Sequence, residues 1–280
     1  MTDGPAARVR RDPNLPGADS GWVSIFGSGD PVTLFAHGFS GAIRDTRPFS
    51  SGITGTRALV NLGGHGGRPS PGPDWTYADI TPQIARAFDD VEEQVGRPVT
   101  RALGVSMSAG GLARLVTSRD PHAETLQKLV FVLPASWAGF PAHLAARNRQ
   151  YTADVRRFLS TGDRAGMLEY LLAREPAEVA AMPPAVAWAR AKVDALFDTD
   201  MSDGAGLSTQ IAVDDPDAAA DFAGEVLVLT HEDDAAHPVE IARDYAAAFT
   251  RSHLEVLPEG SILWKGRSDV RRILTEFLND

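Results

Sequence analysis

The sequence contains no cysteine among its 280 residues. Disulfide bonds, thiolate metal ligands and cysteine nucleophiles are therefore excluded, and folding requires no oxidising compartment. Positive charge is also scarce, since 27 lysines and arginines stand against 37 aspartates and glutamates, for a net charge of −10. A chain this acidic is not expected to bind nucleic acid.

Long hydrophobic runs are missing as well. No apolar stretch approaches the roughly 18 residues of a membrane span, so no membrane association is expected. The opening residues, MTDGPAARVRRDPNLPGADS, lack the apolar segment of a secretory signal. We expect residues 1–20 to form a flexible arm and the protein to be cytoplasmic. The sequence also lacks metal-ligand spacings, a phosphate loop and a dinucleotide fingerprint, which predicts no metal and no cofactor.

Short apolar runs that alternate with amphipathic helical patterns give the clearest indication of the fold. Most of these runs are continuous and rich in β-branched residues, as in strands covered on both faces. Their alternation with helices predicts an α/β fold, with a mainly parallel sheet flanked by helices. The predicted strands are 32–37, 58–62, 100–105, 129–133, 226–230 and 254–257, with 21–26 as a candidate edge strand.

The spacing of apolar residues from Ile84 to Val95 predicts a helix between the second and third of these strands. Thr81 is a suitable N-cap for it, with Pro82 at the first helical position.

The strand–helix alternation stops between about Trp137 and Gly224. This stretch holds helical pieces such as 183–197, joined by proline-rich and aspartate-rich segments. We therefore expect a core formed by residues 21–136 and 225–280, with residues 137–224 inserted as a helical cap.

Ser106 lies at the centre of LGVSMSAGGL, residues 103–112, directly between a predicted strand and a helical pattern. A serine in such a turn has strained backbone angles that aim its hydroxyl at the carboxyl edge of the sheet, where α/β proteins place their sites. Gly104 lets the strand and the helix approach closely. The amide of Met107 opens the helix, at the positive end of its dipole. Ser106 is therefore the candidate nucleophile.

The sequence His37-Gly38-Phe39 ends the first clear strand. With the serine turn and the strand alternation, it resembles the α/β-hydrolase fold over about residues 20–280. The resemblance implies that the amides of Phe39 and Met107 form an oxyanion hole. In the segment VLVLTHEDDAAHP, residues 226–238, it implies that Asp234 is the acid of a catalytic triad.

The histidine of that triad is missing from its usual place after the last strand. The segment LEVLPEGSILWKGRSDV, residues 254–270, has Ser261 at this position, and no histidine follows His253. The sequence leaves open whether this serine is native or an engineered replacement of histidine. Among the 7 histidines, His231 and His237 flank Asp234 and are the best candidates for a substitute base.

Aromatic residues in and near the predicted cap indicate a pocket for a small, largely apolar organic substrate. They include Tyr151 and Trp188, and we expect two or three of them to contact the ligand. The predicted pocket residues are His37, Ser108, Trp137, Phe140 and Trp264.

Three functions agree with these residues, because a fold does not decide an activity. The first is a serine hydrolase acting on an ester, lactone or thioester. The second is a lyase, cyclase or isomerase that uses the oxyanion hole without an acyl-enzyme. The third is a catalytically inactive ligand-binding protein. The sequence gives no indication of the oligomeric state.

Overall fold

The computed structural model describes residues 22–280, apart from the side chain of Ser261. The arm predicted for residues 1–20 lies outside the described residues.

The described chain is built on one mainly parallel sheet. Its strands are β1 (Val23–Phe26), β2 (Val32–Ala36), β3 (Thr56–Val60), β4 (Val99–Val105), β5 (Lys128–Val132), β6 (Glu225–His231) and β7 (Ser252–Leu257). They are ordered β1-β3-β2-β4-β5-β6-β7. The edge strand β1 runs antiparallel to β3, and all other pairs are parallel. The predicted mainly parallel sheet is confirmed.

Helices cover both faces of this sheet and its carboxyl edge. In chain order, the helices are α1 (Ile43–Thr46), α2 (Tyr77–Val95), α3 (Met107–Thr117), α4 (Ala142–Thr161), α5 (Arg164–Leu172), α6 (Ala177–Ala180), α7 (Pro183–Asp198), α8 (Val239–Ala248) and α9 (Arg267–Asn279). Within residues 22–280, none of these helices is both long and apolar enough to cross a membrane.

Strand β2, VTLFA, is buried at all five positions and apolar at all but Thr33. Leu34 packs into a core that includes residues of α2 and α3, whereas Phe35 packs on the other face with residues of α9. Both side chains are fully buried. A strand covered on both faces gains from apolar residues at successive positions rather than at alternate ones.

The start of α2 differs from the prediction. The helix begins at Tyr77, with Thr76 as its N-cap, so Thr81 and Pro82 lie inside it. The Thr76 hydroxyl accepts from the amide of Ala78 at 3.1 Å, and the Asp79 carboxylate accepts from the amide of Thr76 at 2.7 Å. This capping box satisfies the free amides of the first turn and so fixes the earlier start.

The stretch between β5 and β6 contains α4 to α7, and the predicted helix at 183–197 corresponds to α7. Helices α4, α5 and α7 form an apolar cluster that is separate from the two sheet cores and includes Val155, Met167 and Val193. They lie over the carboxyl edge of the sheet, since residues of α4, α5 and α7 line one cavity with Ser106.

Candidate active site

Ser106 lies in the sharp turn between β4 and α3, with φ 50° and ψ −104°. Positive φ is rare for a residue with a side chain and costs energy, so the surrounding structure must hold it. The amide of Ser106 donates to the carbonyl of Val132 at 2.8 Å. A Cβ at Gly104 would lie 2.5 Å from the carbonyl oxygen of Ser108, so only glycine fits beneath this turn.

Three side chains form a continuous hydrogen-bonded chain at this turn. The Ser106 hydroxyl lies 2.9 Å from Nε2 of His237, and Nδ1 of His237 lies 2.8 Å from Oδ2 of Asp234. A carboxylate only accepts, so Nδ1 carries the proton and Nε2 is free to accept from the hydroxyl. The other oxygen, Oδ1 of Asp234, accepts from the amides of Ala236 and His237 at 2.7 and 3.0 Å.

The two candidate bases therefore occupy different places. His237 contacts the Ser106 hydroxyl, whereas His231 contacts the carboxylate behind it, with Nε2 3.3 Å from Oδ2 of Asp234. Nδ1 of His231 lies 2.8 Å from the carbonyl of Glu232. Since both ring nitrogens of His231 face acceptors, this arrangement suits the doubly protonated ring.

Asp234 and His231, both in this loop, stabilise each other's charged form. Burial alone would raise the pKa of Asp234, but the charge of His237 and the hydrogen bonds from His231 and His237 hold it well below its usual range. Burial opposes protonation of His231, yet the hydrogen bond and charge of Asp234 outweigh it and raise the pKa of that imidazole. Asp234 is therefore ionised at neutral pH.

The loop after β2 lies against the serine turn. A Cβ at Gly38 would lie 3.3 Å from the Ser106 Cβ, so this loop packs directly against the serine residue. Phe39 and Met107 both line the cavity at this point. Met107 is the first residue of α3, where backbone amides have no partner within the helix.

Two buried histidines hold the loop in place. Nε2 of His37 accepts from the amide of Leu62 at 3.0 Å, and Nε2 of His65 accepts from the amide of Ser40 at 3.1 Å. Each Nδ1 lies 2.8 Å from a backbone carbonyl, that of Gly38 for His37 and that of Gly63 for His65. Each ring is therefore neutral with its proton on Nδ1.

The environment of these rings keeps them neutral. Burial and the neighbouring His65 lower the pKa of His37 to about 3, and burial lowers the pKa of His65 to about 4. The ring centroids are 4.7 Å apart. The ring of His37 also borders the cavity, so this predicted pocket residue both lines the pocket and supports its loop.

The cavity has a volume of about 240 Å³. Ser106, Asp234, His231 and His237 lie in its wall, and three of the aromatic residues expected from the sequence line it, namely Tyr151, Trp188 and Trp264.

The structure corrects three predicted pocket residues, because in the described chain they lie outside this cavity. Trp137 is buried in the sheet core, with its ring centroid 4.4 Å from that of Tyr245. Phe140 packs against the same core and borders a separate surface hollow. Ser108 is fully buried and donates its hydroxyl to the carbonyl of His37, which ties α3 to the loop after β2.

Ser261 begins a short π-helical segment, Ser261–Lys265, after β7. Its side chain lies outside the described part of the structure, so its predicted place in the site stays a prediction. Leu263 and Trp264 of the same segment line the cavity.

The sequence prediction missed the charged groups of the cavity. Lys192, Arg174, Glu175 and Asp45 all line it. The sequence did contain one indication of a charged group in the cavity. Lys192 follows the aromatic residue Trp188 by four positions, so the two side chains share a face of α7. Among the described residues, no group of three or more histidines and carboxylates is arranged to hold a metal ion.

No protein-family model matches the sequence, and no curated protein matches it either. Solved structures do match. An enol-lactonase from Burkholderia xenovorans aligns with a TM-score of 0.72 and 18% identity, covering 92% of this chain and 96% of that one. A thermophilic esterase from Thermogutta terrifontis aligns with a TM-score of 0.70 and 18% identity, covering 92% of each chain.

An esterase from Exiguobacterium antarcticum aligns with a TM-score of 0.70 and 18% identity, covering 92% of this chain and 95% of that one. At this level of identity, the comparisons establish the architecture. They agree with the resemblance carried by His37-Gly38-Phe39 and the serine turn. The chain has the α/β-hydrolase fold.

Proposed function

We propose that the protein is a serine hydrolase that cleaves an ester, lactone or thioester. The observation that carries this proposal is the hydrogen-bonded chain from Ser106 through His237 to Asp234. A serine hydroxyl is a poor nucleophile without a base, and this chain supplies one within hydrogen-bond distance.

In acylation, the Ser106 oxygen bonds to the acyl carbon while Nε2 of His237 takes the hydroxyl proton. The carbonyl electrons move onto the oxygen, and the amides of Phe39 and Met107 donate to this oxyanion. Collapse of the intermediate expels the alcohol or thiol, which receives its proton from His237. Water repeats the sequence on the acyl-enzyme and releases the acid.

Asp234 supports both proton transfers. Its carboxylate fixes the His237 tautomer and stabilises the imidazolium that forms after proton transfer. The low pKa of Asp234, which the charge of His237 and the bonds from both histidines maintain against burial, keeps that charge present at neutral pH. Two oxyanion donors would add several kcal/mol, about 3 each.

The segment 137–224 would act as a cap over this site. Its helices supply Tyr151 and Trp188 to the lining, and the cavity of about 240 Å³ suits a small organic molecule. The aromatic lining supports a largely apolar acyl or alcohol group beside the reacting carbonyl.

A hydrogen-bonded base is the feature that favours hydrolysis over the two alternatives. Stabilising an enolate, or binding a ligand without reaction, needs no histidine that accepts from the serine hydroxyl. No second function is therefore proposed.

Labelling with a fluorophosphonate tests the proposal, because this reagent captures a serine activated by a base. We expect stoichiometric labelling of the native protein at Ser106, and none in Ser106→Ala. Ser118→Ala is the matched control, since Ser118 is exposed and its hydroxyl donates to the carbonyl of Leu115. Absence of labelling in folded native protein would overturn the proposal.

A further inference from the structure

Lys192 places a cation in the wall of the cavity. Its Nζ lies 3.6 Å from the centroid of the Trp188 ring, and both residues line the cavity. Within residues 22–280, no hydrogen bond or ion pair joins this ammonium to a carboxylate. Contact with the face of an indole ring is favourable but leaves the ammonium protons without acceptors.

A buried ammonium without a direct partner is costly. Burial lowers the pKa of Lys192 to about 8, although the charges of Asp45, Glu175 and Asp234 oppose this. The group is therefore still mostly protonated at pH 7. An anion that entered the cavity would supply the missing acceptor.

The two neighbouring carboxyls, Asp45 and Glu175, do not pair directly with Lys192. Asp45 accepts from the amide of Ala42 at 2.8 Å. Burial raises the pKa of Asp45, against the charge of Arg44, and burial together with the charge of Asp234 raises the pKa of Glu175. Both carboxyls lie beyond ion-pair distance of Lys192, so their charges favour the ammonium form without giving it a direct acceptor.

Arg174 is a second cation in the same wall. Its guanidinium carbon lies 4.8 Å from the ring centroid of Tyr151 and 5.8 Å from that of Tyr170. It lines the cavity together with Lys192, and no ion pair joins it to a carboxylate of the described chain. The wall of the cavity that contains Ser106 thus also contains two cations.

We propose that the substrate carries a free carboxylate, which the Lys192 ammonium binds and Arg174 assists, while Ser106 attacks an ester bond elsewhere in the same molecule. This inference rests on the proposed hydrolase function and narrows it to anionic esters. The cavity of about 240 Å³ limits such a substrate to a small molecule.

Binding to the Ser106→Ala protein tests the anion site without turnover. The probes are monomethyl glutarate, which is anionic, and dimethyl glutarate, its neutral counterpart. We expect calorimetry to show tighter binding of the monoester. Adding Lys192→Met should weaken that binding by about 10- to 100-fold, the usual range for a bond to a charged group, and change diester binding less than about 3-fold.

Two further variants show whether the effect depends on the positive charge at position 192. Lys192→Arg keeps the charge and should retain the preference for the monoester. Lys265→Met is the matched control, because Lys265 pairs with Glu178 outside the cavity and its loss should change neither affinity. Thermal unfolding of each variant checks that it is folded.

The outcomes separate the two proposals. Equal binding of the two probes, equal weakening of both by Lys192→Met, or no binding of either would overturn the anion site. Selective binding of the monoester through Lys192, together with failure of the fluorophosphonate to label Ser106, would retain the anion site and overturn the hydrolase function.

Discussion

Nε2 of His237 lies 2.9 Å from the hydroxyl oxygen of Ser106, although the two residues are 131 positions apart in the sequence. The same histidine is only three residues from Asp234, whose carboxylate it contacts through Nδ1. One loop after β6 thus supplies both groups that face the serine. The order serine, aspartate, histidine along the chain is that of α/β hydrolases, with an unusually short interval before the histidine.

Replacing His237 tests whether this loop supplies the base. We expect His237→Ala to lower kcat/KM for ester hydrolysis by about 10⁴-fold or more, because the hydroxyl loses its proton acceptor. Initial rates and the rate of fluorophosphonate labelling measure this loss. His143→Gln is the control, since His143 is exposed and lies 3.4 Å from Glu240. Loss of less than 10-fold in His237→Ala would place the base elsewhere.

His231 should shape the acidic limb of the pH profile. Below its raised pKa this ring is an imidazolium beside Asp234, and it competes with His237 for the carboxylate charge. As the pH rises, His231 loses its proton and the carboxylate supports His237 fully. In the native enzyme we therefore expect log kcat/KM to rise with pH on the acidic limb with a slope greater than one, the value for a single titrating group.

His231→Gln should return that limb to a slope of one and reduce kcat/KM at its plateau by only a few-fold. The physical reason is that Gln still donates a hydrogen bond to Asp234 but does not titrate. A pH–rate series from pH 5 to 8 measures both quantities. An unchanged slope would mean that His231 does not act on the reaction through Asp234.

The sheet could be predicted because each strand carries its own signal. β2 and β6 are buried on both faces, so their continuous apolar runs are visible in the sequence without any tertiary information. The start of α2 was missed because Thr76 and Thr81 are both acceptable caps. The choice between them depends on Asp79, which completes the capping box at Thr76.

The site was predictable only in part. Ser106 and Asp234 follow strand ends, and their positions are fixed by the sheet. Whether His231 or His237 reaches the serine depends on the path of an irregular loop, which spacing does not determine. Trp137 was expected in the pocket because of its place in the sequence, yet it fills the core beside Tyr245. Composition alone does not indicate which face of a segment is covered.

The serine turn should not tolerate a methyl group at Gly104. In Gly104→Ala the new Cβ would lie 2.5 Å from the carbonyl oxygen of Ser108, and backbone atoms cannot give way easily. We expect loss of about 1–3 kcal/mol of stability, as for overpacking, together with slower fluorophosphonate labelling. Gly139→Ala is the control, since a Cβ there meets nothing within 4 Å. Denaturant unfolding compares the two variants, and equal stabilities would argue against this packing.

The buried histidines should make stability depend on pH. The folded-state pKa is about 3 for His37, through burial and His65, and about 4 for His65, through burial, whereas the pKa of an unperturbed histidine is 6.5. Between pH 6.5 and about 4, the unfolded chain therefore binds protons that the folded chain excludes. The stabilisation is fully present above pH 6.5 and is lost as the pH falls, by about 1.4 kcal/mol per pH unit for each histidine.

His65→Gln isolates one of these two contributions. The glutamine oxygen can still accept from the amide of Ser40, but the side chain binds no proton. We expect the free energy of unfolding, measured in urea from pH 4.5 to 6.5, to fall less steeply than in the native protein, by about 1.4 kcal/mol per pH unit. His253→Gln is the control, because His253 is exposed and contacts Glu255 on the surface. If the slope in His65→Gln equalled the native one, the imidazole of His65 would have to be protonated in the folded state, and its Nε2 could not accept from the loop that carries Phe39.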